Sequence, residues 1–468
     1  MRRIRSSARR RWVAAAIGVT VALGLTACSG GTGGGTDATA DGGSTSGTGG
    51  GGDDAGCTNK IVKPDAKQVT VWAWYPAFEE VVDLFNKTHD DVQVCWSNAG
   101  QGNDEYTKFS TTIEAGTGAP DVIMLETEVL PSFIIRDALT DLTKYGADDV
   151  KKNFNPGVWE DHSNNGGVYA IPVDGGPMGM LYRKDIFDKA GITVPTTWEE
   201  FATAAQKLKD SGATATMTDF PTNGRAYIQA LFAQAGAEPY VFDGDKPTDV
   251  KIDLNDDGSK KVAKYWFDLI DKGLVTAEDA FGTDYNTKLV DGSYAVYIAA
   301  AWGPGYLSGL EGADPNAQWR AAPIPQWAGE TPKQVNWGGS AFAVTSQAKD
   351  PAAAAVVAKE IFGTEDAWKI GIEKGALFPL WLPILNSDYF KNLEYPFFGG
   401  QKIQQDVFLS AASGYEGFTF SPFQNFAYDK LTEQMFSALQ KEKSPDQAID
   451  DLQEQVVDYA KSQGFTVS

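Results

Sequence analysis

Between Val69 and Leu125 strand-like and helix-like periods alternate with only short joints, and that alternation restricts the fold more than any other feature of the chain. Val69-Thr70-Val71-Trp72-Ala73 is a β-branched, aromatic run that reads as a strand. Pro76 then opens a helix whose Phe78, Val81, Val82 and Phe85 make one apolar stripe, and Val92 to Trp96 is a second strand. Tyr106, Phe109 and Ile113 mark a second helix, ended by Gly116 and Gly118, before a third strand at Asp121 to Leu125. This βαβαβ order predicts an α/β fold with a parallel sheet covered by helices.

The most informative single stretch runs from Gly166 to Lys209. Val168, Ala170, Ile171 and Val173 predict a short extended run interrupted by Pro172, which lacks the N–H of a central strand. Met178, Met180, Leu181 and Tyr182 predict a second strand, and the intervening Gly175-Gly176-Pro177 predicts a turn. Thr197 and Glu200 form a capping box ahead of Phe201, Ala204, Ala205 and Leu208 at helical spacing. At 468 residues with 42% apolar content, the chain fills two lobes rather than one core, and this stretch is the expected first crossing between them.

Further on, helices are expected at Tyr227 to Ala235 and around Val262, Trp266, Leu269 and Ile270, with a strand at Tyr294 to Ala301. Trp337-Gly338-Gly339-Ser340 leads into a strand at Ala341 to Thr345. Asp350-Pro351 and Ser444-Pro445 are N-cap and first-turn pairs that open helices.

The N-terminus predicts export. Six arginines precede sixteen uncharged residues, Trp12 to Ala27, a run too short for a membrane span of about 20 residues. Leu25-Thr26-Ala27-Cys28 resembles the lipobox of bacterial lipoproteins, which implies cleavage before Cys28 and a lipid on its thiol; Arg9-Arg10 leaves twin-arginine export open beside the general route. Residues 29–56 hold 13 glycines in 28 positions and read as a flexible tether. Loss of residues 1–27 takes the formal charge from -22 to -28, which argues against a nucleic-acid partner. In an exported chain the remaining pair, Cys57 and Cys95, points to a disulfide.

Several chemistries find no support. His89 and His162 are the only histidines, so no histidine metal cluster exists and a Ser-His-Asp triad has little to draw on. Asp253-Leu254-Asn255-Asp256-Asp257-Gly258 matches half of a calcium loop, but Lys264 stands where the bidentate glutamate belongs, so a helix-capping turn is expected. Gly100-Gln101-Gly102 lacks a third glycine and runs into Asn103-Asp104-Glu105, which repels phosphate. No metal and no cofactor is expected.

Five segments in order, VTVWAWYPAFEEVVDLFNKTHDDVQV, IEAGTGAPDVIML, GGVYAIPVDGGPMGMLYRKDIFDKAG with TTWEEFATAAQKL, LVDGSYAVYIAAAWGPGYL, and WGGSAFAVTSQAKDPAAAAVVAKEIF, resemble the family 1 extracellular solute-binding proteins. These are sugar-binding lipoproteins of ABC importers, similar to maltose-binding protein. The resemblance implies two α/β lobes, residues 57–172 plus about 335–375 and residues 173–334 plus about 376–468, joined by a hinge and closing on a ligand. It implies no enzyme activity, a monomer on the outer face of the cytoplasmic membrane, and delivery of a carbohydrate, an oligosaccharide, to an ABC permease. A secreted glycoside hydrolase, or a receptor for a peptide or other solute, is the alternative.

A sugar site needs aromatic platforms and paired polar groups. By position in the family pattern the candidates are Trp74, Tyr75, Glu126, Asp174, Trp302, Trp337, Gly339, Phe378 and Trp381, with Arg225 and Tyr227 as looser matches. Trp74, Tyr75 and Glu126 follow strands, where open α/β sheets bind ligands. Core packing for the aromatics, and capping of the glycine turn for Asp174, stay open as competing roles.

Overall fold

The structure is a computed structural model that describes residues 56–243 and 246–468. The export segment, Cys28 and the tether as far as Ala55 lie outside the described residues.

One seven-stranded sheet organises the body of the chain. Its strands are β1 (Lys67–Trp72), β2 (Val92–Ser97), β3 (Val122–Glu126), β4 (Ala170–Arg183), β5 (Val296–Ala300), β6 (Trp319–Pro323) and β7 (Asn336–Val344). They lie in the order β5-β4-β7-β3-β1-β2, with β6 also pairing to β4. The expected parallel arrangement holds for β1 with β2 and β1 with β3, whereas β7 runs antiparallel to both β3 and β4. β3 is buried on both faces. Val122 and Met124 join the large core, and Ile123 and Leu125 face a second cluster with Phe109, Phe133 and Leu139, which is why its sequence is a continuous apolar run.

The expected turn at Gly175-Gly176-Pro177 does not form. Ala170–Arg183 is one strand of 14 residues, whose first half pairs with β7 and whose second half lies between β5 and β6. At about 3.3 Å per residue it reaches roughly 45 Å, long enough to pair with β7 in its first half and with β5 and β6 in its second. Its glycines serve close approach. A Cβ on Gly176 would sit 2.0 Å from the Trp337 carbonyl oxygen, and one on Gly175 would sit 2.7 Å from Leu380 Cδ2. Pro172 is accommodated next to a break in register between Ser340 and Ala341 of β7, and Pro177 next to a second break between Asn336 and Gly339.

Most helices follow their sequence signals, but the one expected to open at Pro76 begins at Phe78, after a turn in which Ala77 takes a left-handed φ of 55°. They include α1 (Phe78–Thr88), α2 (Asn103–Ala115), α3 (Pro156–Asp161), α4 (Trp198–Asp210), α5 (Arg225–Gln234), α6 (Asp257–Asp271), α7 (Pro351–Glu360), α8 (Gln424–Leu439) and α9 (Pro445–Ser462). Thr197 Oγ1 accepts from Glu200 N at 3.1 Å and starts α4, while the Glu200 carboxylate accepts from Thr196 N at 2.8 Å, one residue earlier than an ideal capping box. The half calcium loop is a cap: Asp256 Oδ1 accepts from Ser259 N at 2.7 Å. Cys57 and Cys95 are joined by a disulfide, with Cα atoms 5.0 Å apart, that ties the segment before β1 to β2.

Candidate functional site

Where β4 and β7 pass each other, Asp174 and Gly175 meet Gly338 and Gly339, and these four residues are part of the lining of a cleft of about 1200 Å³. Gly338 and Gly339 have φ of 73° and 125°, a region that side chains rarely enter, and a Cβ on Gly339 would press to 3.2 Å from the Asp174 carbonyl oxygen. Glycine here lets two backbones approach closely and form the floor.

Asp174 is the polar centre of that floor. Its Oδ1 accepts a hydrogen bond from the Ser340 hydroxyl, which is itself 2.5 Å from the Tyr75 hydroxyl. Burial pushes the Asp174 carboxyl up to about 7; the Ser340 hydrogen bond opposes this and the Glu126 carboxylate adds to it. With no turn at Gly175-Gly176, the competing capping role disappears.

One wall follows β3. Glu126 lies behind this wall and does not line the cleft; it accepts from the Tyr106 hydroxyl at 2.8 Å, and burial raises its pKa against the pull of that bond and of Arg225. Glu128 lines the cleft, and burial, then the Glu126 charge, lifts it to about 8. Thr127 Oγ1 lies 3.2 Å from His162 Nε2 and donates to the Gly339 carbonyl at 3.3 Å. His162 is buried, its Nδ1 2.6 Å from the Val158 carbonyl, and burial lowers its pKa to about 4, so the ring is neutral at pH 7.

The opposite wall comes from α5, from Tyr240 and from residues 414–422. Asp161, at the end of α3, accepts from the Tyr415 hydroxyl at 2.9 Å and from Phe418 N at 3.2 Å, and burial lifts it to about 7. Gln229 Nε2 and the Tyr240 hydroxyl are buried at this wall without a protein partner. Arg225 forms an ion pair with Asp429 at 2.8 Å and lies over the Tyr428 ring at 5.4 Å. Sequence reasoning missed Asp161, His162, Gln229, Tyr240 and Tyr415. These residues come together only through tertiary packing, and no local motif marks them.

An aromatic group abuts the floor. Trp302 Nε1 donates to the Trp337 carbonyl at 3.2 Å, and the two rings meet edge to face at 4.7 Å. A Cβ on Gly338 would lie 3.9 Å from Trp302 Nε1. Trp337, 7% exposed, and Tyr227, 2% exposed, pack at 5.1 Å as part of the core, so Trp337 offers a ligand no ring face, and neither Trp302 nor Trp337 lines the cleft.

The remaining candidates separate by burial. Tyr75 is 4% exposed and sits among Phe78, Phe342 and Phe362, so it holds Ser340 from behind the floor rather than meeting a ligand. Phe378 is fully buried against Phe390; its carbonyl accepts from Gly175 N, and it is the next-but-one residue, Leu380, that lines the cleft. Trp74 is half-buried edge-on to Tyr106 at 5.8 Å, and Trp381 is half-buried just beyond Leu380; neither lines the cleft.

Two α/β groups of strands sharing β4 and β7, with a cleft at the crossing, define the two-lobed type II fold of periplasmic binding proteins. Residues 72–368 match the model of the bacterial extracellular solute-binding protein family, and the chain belongs to it. It is similar to the arabinooligosaccharide-binding protein of Halalkalibacterium halodurans, 23% identical over 81% of this chain and 85% of that one. A lactose-binding protein of Rhizobium radiobacter is 24% identical over 73% and 81% of the two chains. Among solved structures, the ABC transporter associated binding protein of B. animalis subsp. lactis Bl-04, in complex with β-1,6-galactobiose, is 30% identical with a TM-score of 0.75, covering 86% of this chain and all of that one. The galacto-N-biose-/lacto-N-biose I-binding protein of Bifidobacterium longum is 26% identical with a TM-score of 0.76, over 86% and 99%. The family is one of extracellular solute-binding proteins of ABC importers.

Proposed function

We propose that this chain captures a carbohydrate, an oligosaccharide, in the cleft between its lobes and delivers it to an ABC permease without breaking a bond. The observation that carries this reading is the cleft itself: about 1200 Å³, floored by the Asp174 carboxyl and glycine backbone and lined by the rings of Tyr169, Tyr240, Tyr415, Phe418 and Phe420. Pyranoses present apolar C–H faces and a rim of hydroxyls, which such a floor and such rings complement. The sugar complexes of the similar proteins support the same choice.

On this reading Glu128 and Asp174 meet the ligand from one lobe, residues 57–172 plus about 335–375, and the crossing, and Gln229 and Tyr240 meet it from the other, residues 173–334 plus about 376–468; Trp74, Glu126, Trp302 and Trp381 stand outside the lining and reach the ligand only as the lobes close. The mature chain acts as a monomer, exported and held at the outer face of the cytoplasmic membrane by a lipid on Cys28. Metabolic labelling with a tagged fatty acid tests the anchor: label is expected on the wild type and lost in Cys28→Ala, and label retained by the variant refutes it.

Thermal-shift measurements over neutral saccharides test the ligand class. A ligand at 100 times its dissociation constant stabilises by roughly 2.7 kcal/mol. Stabilisation by peptides and by no saccharide refutes the carbohydrate reading, and release of reducing ends at enzyme-like turnover would make the protein a hydrolase instead.

A further inference from the structure

Phe281 is 49% exposed and sits with φ of +64°, a left-handed conformation that a bulky side chain adopts only under strain. Its ring is placed all the same: 6.1 Å from both Trp302 and Trp337, and 5.4 Å from Tyr306 at 88°. The loop around it is fastened on both sides. Glu278 N donates to Asp219 Oδ1 at 2.9 Å and Ala280 N to Asn223 Oδ1 at 2.8 Å. Gly282 N donates to the Asp279 carbonyl at 3.1 Å, and Tyr306 is tied through its hydroxyl to Asn286 at 2.5 Å. The surroundings therefore over-determine a strained residue, a pattern found at ligand clamps and active sites.

Core packing does not account for the ring, because half of it faces solvent, and glycine would occupy the same backbone without strain. What a phenyl adds at this position is an open apolar face. Neither Phe281 nor Trp302 lines the cleft; the ring lies beside Trp302, which neighbours the floor through Nε1, 3.9 Å from a Cβ built on Gly338. The rings meet at steep angles, 46° between Phe281 and Trp302, so they form a corner rather than a parallel slot. A corner of this kind takes one pyranose ring, with its C–H face on the phenyl and an edge against the indole.

We propose that Phe281 is a sugar-stacking residue that binds a unit of the ligand extending beyond the cleft floor, past Gly338 and against Trp302. The assignment rests on the carbohydrate reading above. The full chain is first titrated calorimetrically with β-1,6-galactobiose, lactose and arabino-oligosaccharides, and then the Phe281→Gly and Phe281→Trp variants are titrated with whichever saccharide binds.

The expected result is a dissociation constant raised roughly tenfold in F281G, the size of one lost aromatic contact, and restored in F281W. The melting temperature of ligand-free F281G stays level or rises, because glycine relieves the strained backbone. A ring that merely covers Trp302 gives the reverse, a lower melting temperature with affinity unchanged. Wild-type binding with an unchanged constant in folded F281G overturns the assignment alone. A wild type that binds no saccharide overturns the carbohydrate reading and this assignment with it.

Discussion

Replacing Asp174 by asparagine tests the electrostatics of the cleft floor, and the expected effect has a pH signature. Burial holds the carboxyl at about 7 against 3.8 in an unfolded chain. Between those values the unfolded chain has released a proton that the folded chain keeps, so this group lowers stability as pH rises through the window. About 3 units at 1.36 kcal/mol each gives about 4 kcal/mol as the upper figure above pH 7, and nothing below pH 4. The asparagine side chain keeps an acceptor for the Ser340 hydroxyl and cannot ionise. The Asp174→Asn chain should therefore melt with wild type near pH 4 and several degrees above it at pH 8, by near-UV circular dichroism. Saccharide affinity should move the other way, falling by about 10- to 100-fold, because a charged acceptor of about 1.5–3 kcal/mol is lost. A variant equally or less stable than wild type at pH 8 would mean that the carboxylate is charged and held by its partners, and that burial does not dominate at the floor.

Gly176→Ala should destabilise by about 1–3 kcal/mol or more, since its Cβ would lie 2.0 Å from the Trp337 carbonyl oxygen. An unchanged denaturation midpoint would show that β4 and β7 do not approach as described. Reduction of Cys57–Cys95 should lower stability by up to about 4 kcal/mol in the chain-entropy model for this loop, read from urea midpoints with and without reductant; coincident curves refute that contribution. Trp302→Ala should abolish saccharide binding and leave the far-UV spectrum unchanged, and full affinity would make Trp302 a packing residue only. Across pH 4 to 6.5 the neutral His162 acts opposite to Asp174, with stability rising as pH rises, because its pKa falls from 6.5 to about 4 on folding. His162→Gln should remove that rising component from the melting profile, and an unaltered profile refutes it.

The helices were legible because their signals are local. Thr197 caps α4, Asp350 caps α7 and Ser444 caps α9 from positions that a sequence window contains, and the apolar stripe of α1 needs only its own period. The strands of the opening βαβαβ order were legible for the same reason. Gly175-Gly176-Pro177 was not: a glycine pair marks a turn or a close backbone approach with the same letters, and the Trp337 carbonyl that decides between them lies about 160 residues away. Tyr75 and Phe378 show the same limit among the site residues, since an aromatic after a strand reads alike whether its ring faces a cleft or a core.

By itself the sequence determined the α/β class, most of the helices and the family, because each is written in short-range periodicity, capping chemistry or ordered segments. The tertiary structure alone decided that β4 is a single crossing strand, that Asp174 binds Ser340 instead of capping a turn, and that Asp161, His162 and Tyr415 share the cleft with it. It also brought the strained ring of Phe281 against Trp302. Those facts depend on which distant backbone lies alongside, and burial and hydrogen-bond partners are properties of that juxtaposition rather than of any residue's neighbours along the chain.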